Sequence, residues 1–357
     1  MKKLLYKTLI TINIIVIALM LASGYAGYID PVSMPRLSIF TLAFPLFALA
    51  NLAFVVVWVF VRLRYVLIPV IGFLVAYVPV RSYTPFNVSH EPDSDCLKIL
   101  TYNTWAMAGG AKQWTSNPIF QYVDKTDADF VCLQESSLDS NGEQAYDSLF
   151  SKRYPYHDTI TAKGKGSDML QFWSRYRILK RERIHYNSHS NVTAAWTVRV
   201  GYDTIIIINN HLQSIGLTPE ERSRFKEMVK GELPNDSTSK ETHHLIRCIS
   251  EANAKRAPQA DAVAAFIRRH RGKRIIVCGD FNSSPLSYTH NTICRDLTDC
   301  YIAAGNGSGI SYHVNGFLVR IDNVMCSKHF TPIKCFVDQS INASDHYPVV
   351  CWLKKRR

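Results

Sequence analysis

An α/β layered domain, preceded by transmembrane helices, is the fold class that this sequence predicts, and three observations predict it. After residue 96, short β-rich runs alternate with segments of helical periodicity. Two of those runs, 205–208 and 275–277, are continuously apolar, as strands covered on both faces are. Before residue 90 the chain is dominated by long apolar stretches instead.

The apolar stretches span about 8–28, 37–61 and 65–80 of the 357 residues. The first two are long enough to cross ~30 Å of hydrocarbon, and the third is near the short limit. Residues 1–90 hold seven Lys/Arg and one acid, Asp30, which leaves 34 basic and 28 acidic residues for the remainder. Half of the net charge of +12 therefore flanks the apolar segments, and the rest is too mild to argue for nucleic acid by itself. Lys2, Lys3 and Lys7 precede the first segment, while Arg62 and Arg64 fill the tight turn after the second. Placing both clusters in the cytoplasm satisfies the positive-inside bias, with Arg36 and Arg81 diluting it. Residue 91 onward is then extracytoplasmic. Residues 1–82 thus read as a membrane anchor with about three transmembrane helices, 83–96 as a polar linker, and 97–357 as the soluble domain.

In that domain the strand candidates are 97–102, 130–134, 169–173, 195–200, 204–210, 274–279, 321–326 and 347–353. Helix candidates cover 117–125, 219–230, 241–254 and 258–271, with 231–240 (GELPNDSTSK) as an exposed loop. Nine cysteines are present, with no CxxC or Cys/His spacing that would suit zinc. Cys132, Cys278 and Cys351 lie in apolar runs and read as small buried hydrophobes. Pairing among Cys294, Cys300, Cys326 and Cys335 stays open.

Polar residues gather where strands begin or end. Asn103 follows LKILTY, Glu135 follows DFVCLQ, and His211 follows IIIINN. Asp280 and Asn282 follow RIIVCG, Asp322 opens IDNVMC, and Asp345–His346 precede YPVVCWL. Strand ends of a layered α/β fold converge on one crevice, where side chains from distant positions meet. Carboxylates and an amide oxygen are hard ligands that suit Mg²⁺ or Mn²⁺. Histidines beside acids suit proton transfer and oxyanion stabilisation. A cation with imidazoles is what attack on a phosphate ester requires.

The runs LKILTYNTW, DFVCLQE, NNHLQS, GDFNSSP, RIDN and SDHYPVV resemble, in order, the motifs of the endonuclease/exonuclease/phosphatase superfamily. The resemblance covers about 96–354. It implies a four-layer α/β sandwich of two mixed β-sheets flanked by helices, and makes 97–357 a catalytic domain. It further implies metal ligation by Glu135, assisted by Asn103, with Asp345 as a further ligand. Asp280 would orient or deprotonate the attacking water, and Asn282 would help hold that water or the phosphate. His211 and His346 would contact the scissile phosphate, with Asp322 fixing the tautomer of His346. The chain departs from the pattern at Asn323, where many relatives have an aromatic. It also lacks the Tyr or His that some nucleases place between the Glu and the first His; Asp168 occupies that region.

Asn210 of the NNHLQS run, with Tyr312 and His313 of the glycine-rich loop 303–316, are the candidates for substrate contact. The AKGKGSD turn either cradles a phosphate or is plain surface. His185, His189, His243 and His244 read as loop or surface residues. The phosphate-ester substrate stays open among nucleic acid, a phosphorylated small molecule and a phospholipid. Membrane lipid is the other expected contact, no protein partner is implied, and the alternative is a catalytically silent, membrane-tethered scaffold.

Overall fold

The computed structural model describes residues 2–110, 113–162, 169–188, 190–230, 232, 235–314 and 317–356. Twelve strands form two six-stranded mixed sheets. They are β1 (Cys96–Asn103), β2 (Phe130–Gln134), β3 (Tyr156–Thr161), β4 (Met169–Ser174), β5 (Ile178–Arg183) and β6 (Val192–Val200). The others are β7 (Asp203–His211), β8 (Arg274–Asp280), β9 (Thr298–Asp299), β10 (Asp322–Cys326), β11 (Phe330–Val337) and β12 (Val349–Lys355). One sheet runs β11-β12-β1-β2-β4-β3 and the other β5-β6-β7-β8-β10-β9. Among the described residues, the one parallel pair in each sheet lies at its centre, β1 with β2 and β7 with β8.

Alternation along the central strands divides their side chains between two packed layers. Between the sheets lie Phe130, Phe172, Trp196, Ile207, Ile276 and Val324, all fully buried, with Phe172 and Trp196 stacked at 4.9 Å. Outside the first sheet, helices Pro118–Thr126 and Ser140–Phe150 bury Phe120 and Phe150 against Trp173. Asn117 starts the first of these helices by accepting from the N–H groups of Ile119 and Phe120, with Pro118 at the first helical position. Outside the second sheet, helix Asn235–Arg269 packs Val263, Phe266 and Ile267 on Ile208 and Val277. Helix, sheet, sheet and helix give the four layers expected.

The structure departs from the sequence reading in several places. Strands β3, β5 and β11 were not foreseen because each is an edge strand, polar on its open side (YHDTIT, ILKRER) or interrupted by Pro332, which a register shift absorbs. From Asn235 the expected loop is already helical, and helix Asn235–Arg269 runs through Pro258 without a break. The ring removes one backbone bond there, while burial of Ala257, Ala260, Val263 and Ala264 holds the helix on the sheet. The expected third span is broken: Leu63–Val75 and Tyr77–Tyr83 meet at 68°. Pro79 has no N–H for the Val75 carbonyl, which accepts instead from the Tyr25 hydroxyl at 3.0 Å. Two helical stretches, Lys3–Tyr28 and Pro35–Val61, are long and apolar enough to cross a membrane. All nine cysteines are free, so the open pairing resolves to none.

The linker does not hang free either. Asn87 donates its backbone N–H to Asn306 Oδ1, 2.6 Å away, and its side-chain amide to the carbonyls of Ile302 and Gly305. Arg320 reaches the Ser82 carbonyl at 2.6 Å. The N-terminal helices also dock on the sandwich: Asn253 donates to Ser38 at 2.8 Å, and Met20, Phe44 and Ala76 enclose Leu286. At Gly27 a Cβ would fall 1.8 Å from the Leu286 carbonyl oxygen, so only glycine permits this approach. Inside the helical bundle, Asn13, Asn51 and Trp58 satisfy one another, leaving leucines, valines and Phe60 outward.

Candidate active site

Register alone sets three of the polar residues side by side. His211 on β7 pairs with Asp280 on β8, and Asp280 pairs with Asp322 on β10. Directly paired residues share a face, so these side chains point together toward the other sheet. From that sheet come Asn103 at the end of β1, Glu135 just past β2, and His346 just before β12. Glu135 and Asn282 both hold positive φ, 48° and 49°, the left-handed turn that re-aims each strand end into the crevice. The Glu135 carbonyl is latched by the Ala106 N–H at 2.8 Å and the Thr104 hydroxyl at 3.1 Å.

The contacts are close. Asn103 donates its amide to Glu135 Oε1 at 3.0 Å and to Asp280 Oδ2 at 3.1 Å. His211 Nε2 lies 3.6 Å from Glu135 Oε1 and 3.7 Å from Asp280 Oδ2. His346 Nε2 lies 3.8 Å from the same Asp280 oxygen, while its Nδ1 meets Asp322 Oδ2 at 2.7 Å. Asn282 donates both its backbone N–H, 2.7 Å, and its amide, 3.1 Å, to Asp280. Asp345 lines the same crevice, with Ser344 donating to Asp345 Oδ1 at 3.3 Å. Ser344 also donates to the Asn103 carbonyl and accepts from the His346 N–H, tying the end of β1 to the approach to β12 in the same sheet.

Burial decides the charges. Asp280 is enclosed, and desolvation, with Asp322 next to it, pushes its carboxyl up to about 6 against the pull of the two imidazoles. For His346, desolvation works toward the neutral ring. The carboxylates of Asp322, Asp280 and Asp345 outweigh it and push the imidazole up to about 10. His346 is therefore a cation at neutral pH, held in one tautomer and orientation by Asp322.

Of the substrate-contact candidates, only Tyr312 lines the crevice, its ring edge-on to His346 at 5.0 Å. Ser311 holds it there by accepting from the N–H groups of Ile321 and Asp322. Asn210 is turned away, since alternation along β7 sends it opposite to His211; its amide joins the Cys278 carbonyl and the Thr193 hydroxyl. His313 also faces outward, stacked on Tyr347 at 3.8 Å and bonded to Asn342. The AKGKGSD turn beyond Ala162, residues 163–168 with Asp168 among them, and His189 lie outside the described residues. The sequence reading missed Arg256, fully buried in the crevice wall, which donates to Ser283 at 2.7 Å and the Gln213 carbonyl at 2.7 Å. Its one signal was a charge in the alanine-rich, apolar register of the long helix.

The donor set fits a divalent cation. Asp280, Asp322 and His346 offer ligand atoms within 4.8 Å of one another, all buried. Asp322 Oδ1 is buried with no hydrogen-bond partner among the described residues. Glu135 and Asp345 add two more carboxylates to the same crevice. Crowded carboxylate oxygens, one already forced toward protonation, are the environment that Mg²⁺ or Mn²⁺ relieves.

Fold and site together define the class: a two-sheet α/β sandwich with a carboxylate–imidazole centre where strands of both sheets end. The chain belongs to the Endonuclease/Exonuclease/phosphatase family, whose sequence profile matches residues 100–346. A second profile, described as a domain of unknown function (DUF8431), matches residues 6–83. Three solved structures show the same fold at low identity. A family member from Bacteroides thetaiotaomicron is 17% identical with a TM-score of 0.50, covering 75% of this chain and 100% of its own. One from Beutenbergia cavernae is 15% identical with a TM-score of 0.52, covering 73% and 72%. The human nocturnin catalytic domain with bound sulfate anion is 14% identical with a TM-score of 0.51, covering 75% and 97%. Comparison with curated proteins gives no match.

Proposed function

We propose that the chain is a membrane-anchored, divalent-metal-dependent hydrolase of phosphate esters, with its catalytic domain on the extracytoplasmic side. Glu135, Asn103 and Asp345 are the residues that would hold Mg²⁺ or Mn²⁺. When bound, the cation supplies positive charge to the phosphoryl oxygens and so favours attack at phosphorus. Asp322 is engaged by His346 at 2.7 Å, so its role is to position that imidazole in preference to ligating the cation.

Asp280 orients a water and takes one of its protons; Asn282 steadies that carboxylate through two hydrogen bonds. The water oxygen forms a new bond to phosphorus as the ester P–O bond on the opposite side breaks. The leaving alkoxide carries away the bonding pair and gains a proton. His346, cationic and fixed by Asp322, and His211 present their Nε2 atoms to the non-bridging oxygens, where charge builds in the transition state.

The observation that carries the reading is the convergence on Asp280 Oδ2 of Asn103, His211, Asn282 and His346, from both sheets, within 3.8 Å. Its test is hydrolysis of bis(p-nitrophenyl) phosphate by the purified full chain in detergent with Mg²⁺ or Mn²⁺. Turnover should vanish with a chelator and fall by ~10² or more in Asp280→Ala and His346→Ala. Unchanged activity in both variants rejects the site. Anchoring is supported by the two long apolar helices, and the orientation by Lys2, Lys3, Lys7, Arg62 and Arg64.

A further inference from the structure

The crevice does not end at the catalytic residues. It continues as one cleft of about 460 Å³ whose far wall is built by Thr41, Leu42, Pro45 and Tyr83 of the N-terminal segment. Leu42 and Pro45 belong to Pro35–Val61, one of the two stretches apolar enough to cross a membrane. The rest of the lining mixes the apolar Leu217, Phe225, Leu245, Ile249 and Phe317 with Arg222 and several serines. Phe225 and Phe317 stack at 4.1 Å, and Phe317 leans toward Tyr312, which lies edge-on to His346. A run of aromatic side chains therefore starts at the catalytic imidazole, in a cleft that one of the apolar N-terminal helices also lines.

Arg256 sharpens the direction. Its guanidinium is fully buried, its Nη2 has no partner among the described residues, and no carboxylate lies within ion-pair distance of it there, although the charge of Asp280 acts on it. A buried cation without a direct ion pair, beside the catalytic carboxylates, favours the anionic end of a ligand on that side. The aliphatic and aromatic side chains of the lining remove a hydrocarbon chain from water.

From this shared cleft we propose that the substrate is a membrane-resident amphiphile: a phosphate ester whose long apolar chain lies along Phe225 and Phe317 and leaves past Leu42 and Pro45 into the bilayer. This rests on the phosphoester-hydrolase reading and adds the substrate class. Water cleaves the P–O bond; the phosphoryl product takes the water oxygen and the alcohol takes a proton. The product that keeps the apolar chain stays in the membrane.

The test uses the full chain in detergent with Mg²⁺ and a series of p-nitrophenyl alkyl phosphate diesters, from methyl to dodecyl, each below its micelle concentration. Expected is a kcat/KM that climbs with chain length by up to ~4-fold per buried methylene until the corridor is filled. Leu42→Gln and Phe225→Ser should cut the ratio of dodecyl to methyl turnover at least ~10-fold; the ratio corrects each variant for its folded fraction. Methyl ester turnover with a flat series overturns the lipid inference and leaves the hydrolase reading standing. Absence of turnover across the series sinks the hydrolase reading itself. Cleavage of a soluble single-stranded oligonucleotide in preference to every alkyl ester also overturns the inference.

Discussion

Asp322 shows how one carboxylate shapes a site without facing the substrate. It lies in register with Asp280, engages His346 Nδ1 at 2.7 Å and is only 1% exposed. Asp322→Asn keeps the shape and removes the charge that makes His346 a cation with Nε2 turned to the crevice. The expected result is a fall of ~10–10² in kcat with little change in KM or circular dichroism. An unchanged kcat would leave His346 without need of its partner. A second buried pair tests stability instead. Burial opposes ionisation of Asp299, but the hydrogen bond and charge of His290, with Arg320 nearby, hold its carboxyl below the usual range. A carboxyl depressed on folding contributes stability above its unfolded pKa of about 4, and that contribution is lost as pH falls through the folded value. Asp299→Asn should thus cost ~1–3 kcal/mol at neutral pH and flatten the acid limb of the unfolding curve below pH ~4, read by thermal melts across pH.

At the scale of elements, the end of β8 carries the most constraint. Gly279 has φ of 118°, and a Cβ there would sit 2.1 Å from the Asn210 carbonyl oxygen of β7. Gly279→Ala must push β7 and β8 apart just before Asp280. The expected cost is ~1–3 kcal/mol in thermal unfolding, with kcat falling more than KM rises. An unaltered melt and kcat would show that the strand pair yields freely. The same contrast explains what the sequence made legible. Central strands such as β7 and β8 are buried on both faces and announce themselves as apolar runs, while β3, β5 and β11 face water along one edge and look like loop. The crevice was legible because its residues sit at the ends of those apolar runs. Asn210 misled because two adjacent amides cannot both face the crevice from one strand, and composition does not say which one does. Arg256 was invisible because its role depends on which face of a 35-residue helix meets the sheet ends.

For the whole molecule, the decisive feature is that the apolar helices and the sandwich are packed on each other. Leu286 enters the helical cluster of Met20, Phe44 and Ala76, and Gly27 meets its carbonyl without a side chain between. If Lys3–Tyr28 and Pro35–Val61 span a bilayer, an alkaline carbonate wash of cell membranes leaves the chain in the pellet; release to the supernatant would remove the spanning reading. Sequence length and hydropathy sufficed to find these segments. They did not reveal the break at Ala76, because it depends on Pro79 freeing one carbonyl for Tyr25, a contact between residues 50 positions apart.

The clasp at Asn87 and Ser82 has a kinetic meaning. Held by Asn306 and Arg320 on one side and by the docked helices on the other, the sandwich cannot swing freely on the N-terminal helices. If those helices span a bilayer as proposed, its height and tilt above the lipid plane are fixed. Encounter with a membrane-resident substrate then becomes a two-dimensional search, in which both parties drift sideways until they collide, and the governing concentration is surface density, not molarity.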